Sequence, residues 1–190
     1  MTEGVRDKWN RRYLERGEHP PGVPDFVPEL VPALRPGRLL DVGAGDGAAS
    51  LYLAGQGFEV TAVDIAEAGL ARLQGFARAR RLVLATRCVD LGAPDCLAGL
   101  GAFDSIVICR YKPDAALWPQ LAAALVPGGT MALVTFNLEH HRRSGFSARF
   151  CLAPDELVGI DPRLELLEYR SIECDGDCLD RYLFKRNNVA

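Results

Sequence analysis

The chain has 190 residues, 48% of them hydrophobic, which suits one domain with a sizeable core. Its 22 basic and 25 acidic residues leave a formal charge of −3, so neither nucleic acid nor an anionic membrane is an expected partner, and a small molecule is. No apolar run approaches the roughly 20 residues that cross a bilayer, and the polar start Met1 to Arg16 lacks a signal-peptide core, so the expected location is the cytoplasm.

In chain order, residues 1–36 contain a predicted helix from Arg6 to Arg16 and a segment rich in proline at Pro20, Pro21, Pro24 and Pro28. Arg38 to Val42 reads as a short strand, followed by a helix from Ala48 to Gln56 whose end Gly57 marks. A second strand runs from Phe58 to Val63, a helix from Ala66 to Arg80 in spite of Gly69 and Gly75, and a third strand from Leu82 to Val89. Phe103 to Cys109 is the fourth strand, Asp114 to Leu125 a helix, and Thr130 to Phe136 the fifth strand, introduced by Pro127-Gly128-Gly129. A helix is expected to start near Pro154, ahead of two strands, Leu164 to Glu173 and Cys178 to Lys185, joined by an Asp175-Gly176-Asp177 turn. The alternation predicts an α/β, doubly wound parallel sheet covered on both faces, with the closing hairpin antiparallel at its edge.

Chemistry concentrates in Leu39-Leu40-Asp41-Val42-Gly43-Ala44-Gly45-Asp46-Gly47, where an apolar strand meets an acid and then alternating glycines that open a helix. Glycine lets a backbone turn sharply and approach a ligand closely, so this is a nucleotide-cofactor loop. Asp64 follows Gly45 by 19 residues, the spacing at which a carboxylate reaches both hydroxyls of a ribose, and it also suits a cap for the helix near Ala66; the roles are compatible. Gly43, Gly45 and Ala48 satisfy G-x-G-x-x-A, which keeps a nicotinamide-dependent oxidoreductase open. Asp41 and Asp46, however, place negative charge where a pyrophosphate would sit and favour a cationic ligand. There is no P-loop and no G-x-S-x-G elbow. The six cysteines lack metal-ligand spacing and are expected to be free thiols, with no metal. His19, His140 and His141 fall in no acid–base constellation, so the catalytic residue stays unassigned.

The loop from Leu40 to Gly47, Asp64, Asp90-Leu91 and Val126-Pro127-Gly128-Gly129 together resemble the ordered motifs of class I S-adenosylmethionine-dependent methyltransferases. The resemblance implies a Rossmann-like, seven-stranded sheet with an antiparallel last strand. It also implies S-adenosylmethionine as cofactor: the amino-acid portion against Asp41, Gly43, Ala44, Gly45, Asp46 and Gly47, the ribose on Asp64, and adenine beside Asp90 with Leu91 or Ile65 over the ring. Trp9-Asn10-Arg11-Arg12-Tyr13 and Cys109-Arg110-Tyr111-Lys112-Pro113 further resemble the tellurite-resistance and thiopurine-type branch. There a helix bearing Trp9 and Tyr13 would close over the cofactor, and Arg110 would lie near its methionine portion, able to pair with the carboxylate. Tyr111 and Phe136, at strand ends, line the expected acceptor pocket.

The implied layout is a single domain, with residues 1–36 as helix and lid segment, 37–136 as cofactor core, and 137–190 as acceptor-side insertion and hairpin. In the insertion, His140, His141, Arg142, Arg143 and Arg149 read as a solvated basic loop. The expected reaction is direct in-line methyl transfer to a small-molecule acceptor; a noncatalytic S-adenosylmethionine-binding protein on the same fold is the other alternative. Nothing in the sequence bears on oligomeric state.

Overall fold

A computed structural model describes residues 2–188. Seven strands, β1 (Arg38–Val42), β2 (Glu59–Asp64), β3 (Ala85–Cys88), β4 (Phe103–Cys109), β5 (Leu125–Phe136), β6 (Leu164–Cys174) and β7 (Asp177–Arg186), form one sheet in the order β3-β2-β1-β4-β5-β7-β6. The pairs among β1 to β5 are parallel, and β7 runs antiparallel to both β5 and β6. The chain winds outward from β1 to β3 and returns to β4 beside β1, so the strand order reverses between β1 and β4. A crevice at their carboxyl ends is where such sheets bind ligands.

Parallel central strands are covered on both faces and are apolar throughout, as Leu39 to Val42 is with Asp41 the exception. Successive residues of β4 feed opposite layers. Ile106 joins Trp118, Leu121, Met131, Tyr182 and Phe184 on one side, and Val107 joins Phe26, Leu30, Leu39, Leu53 and Leu183 on the other. The helices are α1 (Thr2–Leu14), α2 (Phe26–Leu30), α3 (Ala48–Gly55), α4 (Glu67–Ala79), α5 (Trp118–Ala124) and α6 (Leu138–Ser144).

Several segments depart from expectation. The proline-rich stretch holds α2, with Phe26, Val27 and Leu30 buried; Pro28 is tolerated there because the first turn of a helix has no amide partner to lose. The third strand shrinks to Ala85–Cys88, because the chain leaves α4 through Arg81 at φ 57° and packs Leu82 and Leu84 against helices before it reaches the sheet. β5 makes one early pair at Leu125 and regular pairing from Thr130, with residues 126–129 bulged between. No helix starts at Pro154: residues 154–159 are consecutive turns, and Asp155 (φ 57°) and Gly159 (φ 70°) interrupt any helical run. The hairpin turn, by contrast, is Asp175-Gly176 with both φ positive, as a two-residue type I′ turn requires.

The segment read as a solvated loop contains α6. Asn137 caps it, its Oδ1 accepting from the amides of Glu139 (3.1 Å) and His140 (3.2 Å). The Asn137 amide is itself oriented by donating to the buried Asp180 carboxylate (2.8 Å), which also receives Ser171 Oγ (2.7 Å). Asn137→Ala removes the cap and leaves Asp180 one donor short. It is expected to cost about 2 kcal/mol, read as a lowered urea midpoint with unchanged slope.

Candidate active site

Beyond Val42 the loop turns through Gly43, Gly45 and Gly47 at φ 72°, 58° and 92°, values that L side chains rarely adopt. The amides of Gly43 and Ala44 donate to Val63 O (2.9 and 3.0 Å), tying the loop to the end of β2. Asp64 completes the tie: Oδ2 accepts from Gly45 N–H and Oδ1 from Ala66 N–H, both at 2.8 Å. Burial raises its carboxyl above the ordinary range, and these amides pull the other way.

The two other loop acids have different neighbours. Asp41 is 1% exposed and receives the Ser50 hydroxyl of α3 at 2.5 Å; burial raises its pKa to about 6. Asp46 is also buried, and its charge is not free for a ligand as the sequence suggested. Arg16 Nη1 lies 2.7 Å from Oδ1 and Arg72 Nε 3.4 Å from Oδ2, two guanidiniums on one carboxylate. Neither arginine was singled out from sequence, because a basic residue in a polar helix or its exit reads as solvated charge.

Tyr13 and Tyr111 cover the bare faces of the loop. A Cβ on Gly43 would come within 2.9 Å of the Tyr111 ring, and one on Gly45 would strike the Tyr13 hydroxyl. Tyr13 is buried, and burial, with Asp64 second, raises its pKa. Trp9 stacks on Tyr13 at 6.1 Å between centroids. On the β2–β3 side, Ile65 is half-buried, Leu91 is buried in the core, and Asp90 Oδ1 accepts from Gly92 N–H (3.0 Å). A depression beside them is lined by Leu91, Pro94, Asp114 and Gln120.

At the β4–β5 end, Arg110 sits at φ 54° and turns its guanidinium to the hairpin, with Nη2 2.8 Å from Asp177 and 3.4 Å from Asp175. The structure thus gives it carboxylate partners within the chain. Phe136 packs at a tilt against His140 and Phe146, each at 4.7 Å between centroids. His140, which the sequence left unassigned, is buried at this edge; its Nδ1 accepts from Cys178 N–H (3.3 Å) and its Nε2 lies 3.7 Å from Asp177 Oδ1. The signal that would have found it is the cap at Asn137, which starts a helix and turns its third residue inward. Among the described residues no three His, Cys, Asp or Glu side chains gather as metal ligands.

The sheet order, the inverted last strand and the glycine loop joined to an acid at the end of β2 define the class I S-adenosylmethionine-dependent methyltransferase fold. Within that class, residues 18–107 match the family model for Tellurite resistance protein TehB. The chain is similar to the Ubiquinone biosynthesis O-methyltransferase of Xylella fastidiosa, 36% identical over 120 residues that span 60% of this chain and 47% of that protein. The homologue from Bordetella avium is 34% identical over 48% of its length; the chain therefore spans about half the length of these curated relatives. Among solved structures, TehB from Haemophilus influenzae superimposes with TM-score 0.69 at 21% identity, covering 96% of this chain and 66% of that one. Magnesium protoporphyrin IX methyltransferase from Synechocystis, with bound S-adenosylhomocysteine, gives 0.71 at 17% identity over 98% and 99%. A structure described under conversion of a disulfide bond into a thioacetal group during echinomycin biosynthesis gives 0.79 at 18% over 98% and 94%.

The raised pKa of Asp41 has a stability consequence of fixed sign. From the ordinary 3.8 to about 6 the folded chain holds a proton that the unfolded chain has lost. This contribution is therefore full below that window and is lost as pH rises through about 6. Asp41→Asn keeps a partner for Ser50 without the charge, so the stability gain over wild type is expected to grow from pH 4 to pH 6 and then level off. Urea unfolding across that range is the check, and a difference independent of pH refutes it.

Proposed function

We propose that this protein transfers a methyl group from S-adenosylmethionine to a small-molecule acceptor within a single domain formed by residues 1–190, in the cytoplasm. Among the described residues no helix is long and apolar enough to cross a membrane. The observation that carries the proposal is Asp64, whose carboxylate stands at the switch-point crevice against the glycine loop. The donor set fits a nucleoside: each Asp64 oxygen retains a lone pair beyond its amide bond, and Leu91 and Ile65 offer apolar cover beside Asp90.

When bound, S-adenosylmethionine supplies an electrophilic methyl on a sulfonium sulfur. Asp64 would hold the ribose, the segment Asp41–Gly47 the amino-acid portion, and Asp90 with Leu91 the adenine. Tyr13 of α1, already on the loop and backed by Trp9, excludes water from its outer face. Tyr111 and Phe136 line the acceptor side, and Arg110, held by Asp175 and Asp177, fixes the hairpin against it. No covalent step on the protein is needed: catalysis rests on holding nucleophile, methyl carbon and sulfur in line, an effect that contributes roughly 7–11 kcal/mol in favourable cases. The nicotinamide alternative gains no support from the relatives above, among them an O-methyltransferase and a magnesium protoporphyrin IX methyltransferase.

Thermal unfolding with S-adenosylmethionine, S-adenosylhomocysteine and NADPH is the direct test. The first two are expected to stabilise the protein by about 2.7 kcal/mol at a hundred times their dissociation constants. Stabilisation by NADPH alone overturns the proposal, and labelled-methyl transfer to a panel of small hydroxyl, thiol and amine compounds separates an enzyme from a binding protein. Asp64→Asn, which keeps one acceptor oxygen for the loop, is expected to weaken S-adenosylmethionine binding about tenfold or more in calorimetry. An unchanged affinity removes Asp64 from the ribose.

A further inference from the structure

Helix α1 lies over the glycine loop, yet its sequence gives it little reason to stay. Of residues 4–14 only Tyr13 is buried, and Leu14 and Val5 are 75% and 45% exposed. A short helix without an apolar stripe is not held by burial. What holds it is α4. Asn10 Oδ1 accepts from Ala68 N–H (2.9 Å), supplying the cap that Ala66 cannot. The Tyr13 ring fits against Gly69, where a Cβ would come within 3.0 Å of it.

Arg72 finishes the attachment at the exit of α1. Its Nη2 donates to Gly17 O (2.8 Å) and His19 O (3.3 Å), its Nη1 to Arg16 O (3.3 Å), and its Nε to Asp46 Oδ2 (3.4 Å). Carbonyls at a helix exit lack intrahelical donors, and a planar guanidinium presents several in one fork. Arg16 grips the other oxygen of Asp46 at 2.7 Å, with its guanidinium 4.9 Å over the Tyr13 ring. Asp46 belongs to the glycine loop, so the fork of Arg72 joins three bodies: α4, the exit of α1 and the loop.

We propose that Arg72 is a positioning residue for the methyl donor, clasping α1 and the glycine loop together through Asp46 and the carbonyls of residues 16–19. The inference rests on the proposed S-adenosylmethionine site, which Arg72 supports without touching the cofactor. Loss of the clasp frees α1 and loosens the grip on the donor, while the acceptor edge, two strands away, keeps its geometry.

The test uses Arg72→Met and Arg72→Lys in the full chain, with two readouts. The first, acrylamide quenching of tryptophan fluorescence without ligand, reports Trp9, since Trp118 is buried in the core. The second is the kinetics of methyl transfer at varied S-adenosylmethionine and varied acceptor. Both variants are expected to show increased quenching and a KM for S-adenosylmethionine raised about tenfold, with kcat and the acceptor KM changed far less. Lysine is expected to rescue poorly, because one ammonium cannot serve three carbonyls and a carboxylate at once. Should Arg72→Met fail to fold, Arg16→Met opens only the Asp46 side and is expected to shift both readouts in the same direction by less. Unchanged quenching, an unchanged or lowered KM for S-adenosylmethionine, or an equal rise in KM for both substrates each overturn the clasp. Wild type that does not bind S-adenosylmethionine overturns the functional reading instead, and the ligand-free quenching then still decides whether Arg72 holds α1.

Discussion

The carboxylate of Asp64 fixes the relation between the three segments that make the crevice. One oxygen holds Gly45 of the loop after β1, the other holds Ala66 at the entrance of α4, and the residue itself ends β2. Two amides that would otherwise lie unpaired in a buried turn are thereby satisfied, at the cost of burying a carboxylate whose charge the same amides help to stabilise. Because that bond sets the entrance of α4, it also sets where Ala68, Gly69 and Arg72 fall, in the first turns of the helix and on one face. That face meets α1, first through a cap, then through a ring on a glycine, then through the guanidinium fork.

The three acids of the loop region share one neighbourhood and have unlike electrostatic positions. Asp41 has a hydroxyl partner and no cation, so burial dominates and its pKa rises. Asp46 has two cations and is buried by them. Asp64 has amides only, which leaves it oxygens with remaining acceptor capacity. A carboxylate saturated by guanidiniums is a poor partner for a ligand hydroxyl, while one held by amides on single lone pairs is a good one. The division of roles follows from partners and not from position in the motif.

Much of the sheet was legible in the sequence because its signals are local. Strands flanked by glycine turns, the left-handed glycines of the loop and the Asp175-Gly176 turn each depend on a few neighbouring residues. The departures come from long-range partners. Arg16 and Arg72 look like ordinary surface charge in isolation, and only the fold brings them to Asp46 from 30 and 26 residues away. His140 sits in a run of basic residues that resembles a solvated loop, and it turns inward because Asn137, itself oriented by Asp180 from 43 residues away, starts a helix there. Asp155 and Gly159, both at positive φ, are the local evidence against a helix at Pro154.

The inverted last strand changes what the site can contain. In a purely parallel sheet the carboxyl edge collects only strand ends, each followed by a loop into a helix. β7 begins at that edge, with Leu179 opposite Phe136, so its hairpin turn arrives beside the ends of β4 and β5. Asp177 can then reach Arg110 after β4 and His140 after β5 together, a contact between three elements that no parallel strand start would permit. Burial and aromatic contact from Phe136 hold the imidazole in place, with its Nδ1 accepting from the Cys178 amide and its Nε2 facing Asp177. The β1–β2 side of the crevice is thus built from backbone amides around glycines. The β4–β5 side is built from side chains delivered by a reversed strand, and there a substitution alters shape and charge without disturbing the glycine loop.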